Sequence, residues 1–140
     1  MNERFFLDTN IFLYLFDDAA PRKREVADQL VFRALATQKG VVSYQVVQEF
    51  FNVVLKRISK TMTANDAQQY LAEVFRPLLS VHSSTTLYKD AMEILADSRF
   101  SWYDSVIVAS ALHAKCDVLY TEDLQHGRKI RGLRIVNPFL

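Results

Sequence analysis

The chain has 140 residues, of which 50% are apolar and 24% are charged, a composition that fits one globular domain and excludes a disordered or fibrous protein. Its single cysteine, Cys116, excludes an internal disulfide and fits a reducing compartment. No segment reaches the roughly 20 apolar residues of a membrane helix, and the apolar run Ile11 to Phe16 is too short for a signal peptide. The formal net charge of +1 indicates no partner by itself. We expect one cytoplasmic domain spanning residues 1–140.

Short apolar runs alternate along the chain with longer segments of helical periodicity, a pattern that predicts βαβ units around a parallel sheet. Phe5-Phe6-Leu7 predicts the first strand, because near-continuous apolar residues suit a strand buried on both faces. Pro21 is placed to begin a helix that runs to about Ala36, and Gly40 is placed to end it. Val41-Val42 predicts the second strand.

Ser43 is a candidate N-cap for the next helix, in which Gln45 and Glu49 share the polar stripe opposite an apolar face. Thr63 begins a capping-box variant and a helix that ends at Pro77. The remaining predictions are strands over Leu78 to Val81, Val118 to Tyr120 and Leu133 to Val136, helices from about Thr86 to Ala96 and from Ser101 to about Lys115, and an irregular stretch from Gln125 to Gly132. The expected class is α/β.

Four acidic residues stand where these apolar segments meet turns or helix starts: Asp8, Glu49, Asp104 and Asp123. Sites in parallel α/β sheets form beyond the carboxyl ends of the strands, so acids from four segments can reach one crevice. Carboxylates beside apolar runs are costly to desolvate, and like charges raise one another's pKa. Bound Mg²⁺ or Mn²⁺ would remove that conflict, and these ions prefer oxygen ligands and can activate a water against a phosphodiester.

Three of the acids also have a purely structural interpretation. Asp104 lies three residues after Ser101, where a carboxylate stabilises a helix N-terminus without any metal. Asp123 could cap a turn into Leu124, and Glu49 could be an exposed residue of its helix. Asp8, directly after an apolar strand, is the hardest to explain structurally. The case for a metal site therefore depends on the four acids taken together.

Other features favour neither a second metal site nor a nucleotide-binding loop. The three histidines share no metal-ligand spacing, and no GxGxxG or P-loop pattern occurs. Three basic clusters could contact phosphate or could be solvated helix faces: Arg22-Lys23-Arg24, Lys56-Arg57 with Lys60, and Arg128-Lys129 with Arg131 and Arg134. Trp102 and Tyr103 could stack on nucleobases or pack against a pocket wall.

Several segments together resemble the PIN-domain family, in particular its bacterial VapC-type toxins: FFLDTNIFLY, SYQVVQEFFNVV, FSWYDSVIVASAL, and CDVLYTEDLQHG with GLRIVNPF. The resemblance covers Phe5 to Phe139. It implies an α/β/α sandwich with a five-stranded parallel sheet, and an Mg²⁺- or Mn²⁺-dependent ribonuclease site. It also implies a small cognate antitoxin as partner and a homodimer, because VapC-like proteins usually have the first and often form the second.

The resemblance assigns the four acids position by position, with Asp8 and Asp104 as the principal metal ligands beside Glu49 and Asp123. Residues at positions that usually support the acids through hydrogen bonds are Thr9, Asn10, Ser43 and Thr121. Glu122 competes with Asp123 for the last acidic position. Because consecutive residues at a strand end point to opposite sides, we assign Asp123, which falls on the same side as Thr121.

The leading hypothesis is therefore a metal-dependent endoribonuclease that acts as the toxin of a toxin–antitoxin pair. A housekeeping RNA-processing nuclease would share every motif. A non-catalytic RNA- or protein-binding module would keep the fold and use the acids structurally. A phosphotransferase with Asp8 as nucleophile is a further alternative, but Asn10 stands where a haloacid-dehalogenase-like site has its second acid.

Overall fold

A mostly parallel sheet forms the centre of the computed structural model, which describes residues 3–56 and 61–140. The strands are β1 (Phe5–Leu7), β2 (Gly40–Ser43), β3 (Leu79–Val81), β4 (Val118–Tyr120), β5 (Lys129–Ile130) and β6 (Leu133–Val136). They lie in the order β3-β2-β1-β4-β6-β5. Neighbouring strands pair in parallel except β5 with β6, which pair antiparallel. Arg57 and Lys60 of the second basic cluster lie outside the described residues.

Helices cover both sides of the sheet, as the alternating pattern predicts. They are α1 (Thr9–Leu13), α2 (Pro21–Thr37), α3 (Tyr44–Val54), α4 (Ala64–Tyr70), α5 (Arg76–Leu78), α6 (Thr85–Asp97) and α7 (Trp102–His113). A 3-10 turn spans Tyr14–Phe16, and a π-helical turn, Leu71–Phe75, joins α4 to α5. The capping box at Thr63 is confirmed, since its hydroxyl accepts from the backbone N–H of Asp66. No helix within the described ranges is long and apolar enough to span a bilayer.

The sheet has one strand more than the family resemblance implied. The sixth strand, β5, lies inside the stretch predicted to be irregular, Gln125 to Gly132, and forms a hairpin with β6. The connection turns at Arg131 and Gly132, which both have positive φ, 49° and 87°. Two residues are too few for a periodic pattern, so hydrophobic periodicity cannot predict this strand. The α/β class and the five predicted strands are confirmed.

Gly40 differs from its predicted role as the stop of α2. The residue that leaves the helix is Gln38, which adopts the left-handed conformation at φ 59°. Gly40 is instead the first residue of β2, where an added Cβ would lie 2.1 Å from the Cβ of Ala34. The glycine therefore permits the close approach of α2 to the sheet.

An aromatic cluster fixes α1 against α3, the two helices that leave the sheet beside each other. Phe12 of α1 packs on Phe75 with ring centroids 4.9 Å apart, and Phe50 of α3 packs on the same ring at 5.1 Å. Tyr70 stacks on Phe50 at 5.2 Å. Since Phe12, Phe50 and Phe75 are fully buried, the polar residues on the other faces of these helices are held at fixed positions.

Candidate active site

Asp8 lies at the carboxyl end of β1 and is held on both carboxylate oxygens. Its backbone N–H still donates to Tyr120 of β4, at 3.1 Å, and its side chain is the N-cap of α1. One carboxylate oxygen accepts from the N–H of Thr9 at 2.7 Å, and the other accepts from the hydroxyl of Thr121 at 2.8 Å. Asp8 is only 8% exposed, so it is a buried carboxylate at the carboxyl ends of the strands.

The four predicted acids line one crevice of about 210 Å³. Asp8 comes from the end of β1, Glu49 from the middle of α3, Asp104 from the first turn of α7, and Asp123 from the loop after β4. Residues separated by up to 115 positions in the chain thus meet, because these segments all reach the carboxyl edge of the parallel strands.

Three of the predicted supporting residues make hydrogen bonds to the acids. The Thr9 hydroxyl donates to Glu49 at 2.8 Å, and the Asn10 amide donates to the two carboxylate oxygens of Asp123 at 3.3 and 3.4 Å. Thr121 bridges two acids, since its hydroxyl donates to Asp8 and accepts from the backbone N–H of Asp123 at 3.1 Å. The acids are therefore oriented by neutral polar groups.

Ser43 behaves differently from these three residues. Its hydroxyl is buried and has no hydrogen-bond partner within residues 3–56 and 61–140, although the residue does stand at the N-cap position of α3. Ser43 therefore holds no acid directly.

Asp104 combines the two interpretations that the sequence left open. It lies in the first turn of α7, and its backbone N–H donates to the hydroxyl of the N-cap residue Ser101 at 3.1 Å. A carboxylate at this position stabilises a helix by about 0.3–1 kcal/mol. The side chain nevertheless lines the crevice with the other acids, so its capping position also directs it to the shared site.

Glu122 is held away from the crevice by two residues of the chain's first 25. The hydroxyl of Tyr14 donates to it, and Lys23 forms an ion pair with it at 3.0 Å. The same ammonium lies 4.8 Å from the centre of the Tyr14 ring and 5.5 Å from that of Phe139. Asp123 lines the crevice and Glu122 does not, in agreement with the alternation expected at a strand end.

The crevice is electrostatically unfavourable for its own acids. Burial raises the pKa of Asp8 from 3.8 to about 6, and the charges of Asp123 and Glu49 add to this against the opposing hydrogen bonds from Thr121 and Thr9. Burial also raises the pKa of Asp123, with further contributions from Asp104, Glu122 and Glu49. No lysine or arginine of the described residues lines the crevice, so this part of the chain supplies no neutralising charge there.

The donor set suits a hard divalent cation, because carboxylate oxygens are the ligands that Mg²⁺ and Mn²⁺ prefer. Within the part of the chain that the structure describes, however, no three His, Cys, Asp or Glu side chains are already close enough together to hold an ion. The fit is thus one of chemistry and charge, with the acids gathered around a crevice rather than closed on a preformed centre.

Several members of the basic clusters have local partners among the described residues, as ordinary surface charges do. Arg22 donates to the carbonyl of Phe139 at 2.7 Å. The other contacts are Arg24 with Asp18 at 2.6 Å, Arg131 with Asp97 at 3.4 Å, Arg134 with Glu3 at 3.5 Å, and the Arg128 guanidinium 4.6 Å from the centre of the Phe100 ring. Exposed pairs of this kind are weak, so the same basic side chains can also contact phosphate.

Gln45 lines the crevice without having been predicted as a site residue, and Tyr103 lines it as the pocket-wall alternative for that residue predicts. Gln45 was placed on the polar stripe of α3, yet it is only 5% exposed and lines the crevice beside Glu49. The signal was its position one helical turn before that acid, which puts both side chains on one face. Tyr103, which directly precedes Asp104, also lines the crevice.

Comparison with known proteins identifies similar sequences and folds. The sequence profile of a family described as PIN domain matches residues 5–131. A comparison with curated protein sequences gives no match. A toxin–antitoxin complex from Klebsiella pneumoniae contains a chain with a TM-score of 0.69 and 19% identity, covering 95% of this chain and 96% of that one.

Two more solved structures share the fold. VapC20 of Mycobacterium tuberculosis, a sarcin–ricin loop cleaving toxin, has a TM-score of 0.59 and 20% identity over 85% of this chain and 89% of its own. FitAcB from Neisseria gonorrhoeae has a TM-score of 0.62 and 16% identity over 96% of this chain and 98% of its own. At such identities the likeness describes the fold alone.

Proposed function

The chain belongs to the PIN-domain family, and from this we propose that it is a metal-dependent endoribonuclease that hydrolyses phosphodiester bonds of RNA. The observation that carries the proposal is the crevice in which Asp8, Glu49, Asp104 and Asp123 meet from four separate segments. A structural role for each acid would not require all four to share one concave site. The similar fold of a toxin that cleaves the sarcin–ricin loop supports RNA as the substrate.

We assign Asp8 and Asp104 as the principal ligands of Mg²⁺ or Mn²⁺, with Glu49 and Asp123 completing the site. When bound, the ion supplies Lewis acidity toward the phosphate and lowers the pKa of a water molecule. The chain's own residues keep the acids in position, through the hydrogen bonds from Thr9, Asn10 and Thr121 to three of them. Burial, with smaller contributions from the charges of Asp123 and Glu49, raises the pKa of Asp8, so a positive partner would stabilise its carboxylate.

The direct test is RNA cleavage by the purified protein together with calorimetry of Mn²⁺ binding. We expect cleavage of single-stranded RNA with Mg²⁺ or Mn²⁺, loss of cleavage in EDTA, and saturable Mn²⁺ binding in the absence of RNA. Cleavage that persists in EDTA contradicts the metal dependence. Absence of both cleavage and Mn²⁺ binding favours the non-catalytic binding module instead.

Thr121 is proposed as a positioning residue, because its hydroxyl connects Asp8 to the loop that carries Asp123. Thr121→Val keeps the shape and removes both hydrogen bonds, so we expect Mn²⁺ affinity and kcat to fall about 10- to 100-fold while the KM for RNA changes little. Thr121→Ser keeps the hydroxyl and should retain most of the parent's activity. Equal losses in the two variants contradict this role.

We also propose that the protein is a toxin of the cytoplasm, held inactive by a small cognate antitoxin and forming a homodimer. The support is the VapC-like pattern of the sequence and the likeness to a chain of a toxin–antitoxin complex. A housekeeping nuclease would have the same crevice. Growth under induced expression distinguishes the two roles.

A further inference from the structure

A second cavity, of about 390 Å³, opens beside the acid crevice and is walled by aromatic rings. Tyr44 and Tyr88 meet through their hydroxyl groups at 3.3 Å, and the ring of Tyr88 lies 6.1 Å from that of Trp102. Tyr103 also lines the cavity and is 66% exposed. The volume falls within the range of small-molecule sites, and no charged side chain of the described residues lines the cavity.

The aromatic cavity is continuous with the acid crevice, because Gln45 and Tyr103 line both. The same two helix starts therefore build both sites. Tyr103 directly precedes Asp104 at the start of α7, and Gln45 lies one turn before Glu49 in α3. A ligand that extends from one site into the other would present one chemical group to the acids and another to the rings.

Gln45 has an unused hydrogen-bonding atom at the junction of the two cavities. Its amide N–H donates to the carbonyl of Tyr103 at 3.4 Å, while its amide oxygen is buried and has no partner among the described residues. The residue is only 5% exposed. A buried acceptor without a donor is unfavourable, so this oxygen is available for a donor on a bound ligand.

We propose that the aromatic cavity binds one unpaired nucleobase of the RNA whose adjoining phosphodiester lies in the acid crevice. This inference rests on the proposed nuclease function and names the part of the substrate that gives specificity. Unpaired bases are recognised by stacking on aromatic rings and by hydrogen bonds to their edges. The exposed ring of Tyr103 provides the stacking surface, and Gln45 provides an acceptor for an exocyclic amino group.

The division of charge favours a nucleotide over a peptide as the occupant. A nucleotide has a neutral, flat base beside a negatively charged phosphate. The cavity is neutral and aromatic, whereas the neighbouring crevice holds the acids that we assign to a cation. The aromatic cavity thus matches the neutral base, and the acid crevice, once it holds a cation, matches the phosphate.

The only tryptophan of the chain, Trp102, lies in the cavity and reports its occupancy. We would titrate the protein with the four ribonucleoside monophosphates in Mg²⁺, since these contain no phosphodiester to cleave, and follow tryptophan fluorescence. At least one should give a saturable change. In Tyr103→Ala its dissociation constant should rise roughly 5- to 100-fold, the range expected for losing one stacked ring, and the KM for RNA should rise more than kcat falls.

Two matched variants make the test specific. Phe32→Ala removes another exposed ring, 72% accessible on α2, and should bind and cleave like the parent. Tyr103→Phe keeps the stacking surface and should restore the affinity that Tyr103→Ala loses.

The outcomes separate this inference from the proposed function. If the parent cleaves RNA but fluorescence does not respond, or Tyr103→Ala binds as the parent does, the base site is wrong and the nuclease stands. If the parent does not cleave RNA with either metal, the proposed function fails. If fluorescence instead follows protein concentration and Tyr103→Ala shifts the sedimentation of the protein, the cavity is an interface between copies, which overturns the base site.

Discussion

Replacing Asp8 by Asn will reduce RNA cleavage by at least about a thousandfold, a loss of about 4 kcal/mol of transition-state stabilisation. Asn has nearly the same shape, and it can accept from the N–H of Thr9 and donate to the hydroxyl of Thr121, the two partners of Asp8. What it lacks is the negative charge, which favours a hard divalent cation, and one of the two oxygens able to coordinate it. The rate constant for cleavage of single-stranded RNA in saturating Mn²⁺ measures the effect.

Glu122→Gln is the matched control for this loss. It also neutralises one carboxylate of the strand-end region, but Glu122 is turned toward Tyr14 and Lys23 instead of the crevice. We expect cleavage close to that of the parent. If Glu122→Gln loses as much activity as Asp8→Asn, the assignment of Asp123 as the fourth acid is wrong.

The parent protein and Asp8→Asn also test the toxin role in cells. Induced expression of the parent should arrest growth and degrade RNA, whereas Asp8→Asn should do neither. If the parent cleaves RNA in vitro but cells that express it grow as well as cells that express Asp8→Asn, the protein is a nuclease and the toxin proposal fails.

The acids that line the crevice could be picked out from the sequence because three of them stand at recognisable junctions, while Glu49, in the middle of α3, was assigned through the family resemblance. Asp8 follows an apolar strand, and Asp104 follows a helix-capping serine, so local pattern alone gives their positions. Parallel strands end at one edge of the sheet, which brings such junctions together without any knowledge of distant contacts.

The parts that could not be predicted depend on contacts between distant segments. Glu122 is held away from the crevice by Lys23 and Tyr14, which lie 99 and 108 positions earlier in the chain. Gln45 looks like a residue of a solvated stripe, but it is buried and donates to the carbonyl of Tyr103 at the start of α7. The requirement for glycine at position 40 arises from Ala34, whose closeness follows from how α2 crosses the sheet. Local sequence patterns do not identify contacts with residues so distant in the chain.

The negative charge of Asp8, which the proposed metal site requires, destabilises the folded protein when no metal is bound. Asp8→Asn will therefore stabilise the metal-free protein above pH 6. Burial raises the pKa of Asp8 in the folded state to about 6, against an ordinary value of 3.8. Because the folded state binds this proton more tightly than the unfolded chain, the stabilisation is complete below pH 3.8 and is lost as the pH rises through 6. The difference of about two pKa units corresponds to about 3 kcal/mol.

Urea unfolding of parent and variant in EDTA measures this effect as the difference between their free energies of unfolding. That difference should grow by about 2.5 kcal/mol in favour of Asp8→Asn between about pH 4 and about pH 7.5, since groups that do not interact with Asp8 titrate alike in both proteins and cancel. Saturating Mn²⁺ at the higher pH should then stabilise the parent and not the variant, because only the parent keeps the full ligand set. A difference that does not change with pH means that the buried carboxylate of Asp8 ionises normally and does not oppose folding. In that case the acids do not need a cation, and the electrostatic argument for the metal fails even if RNA is cleaved.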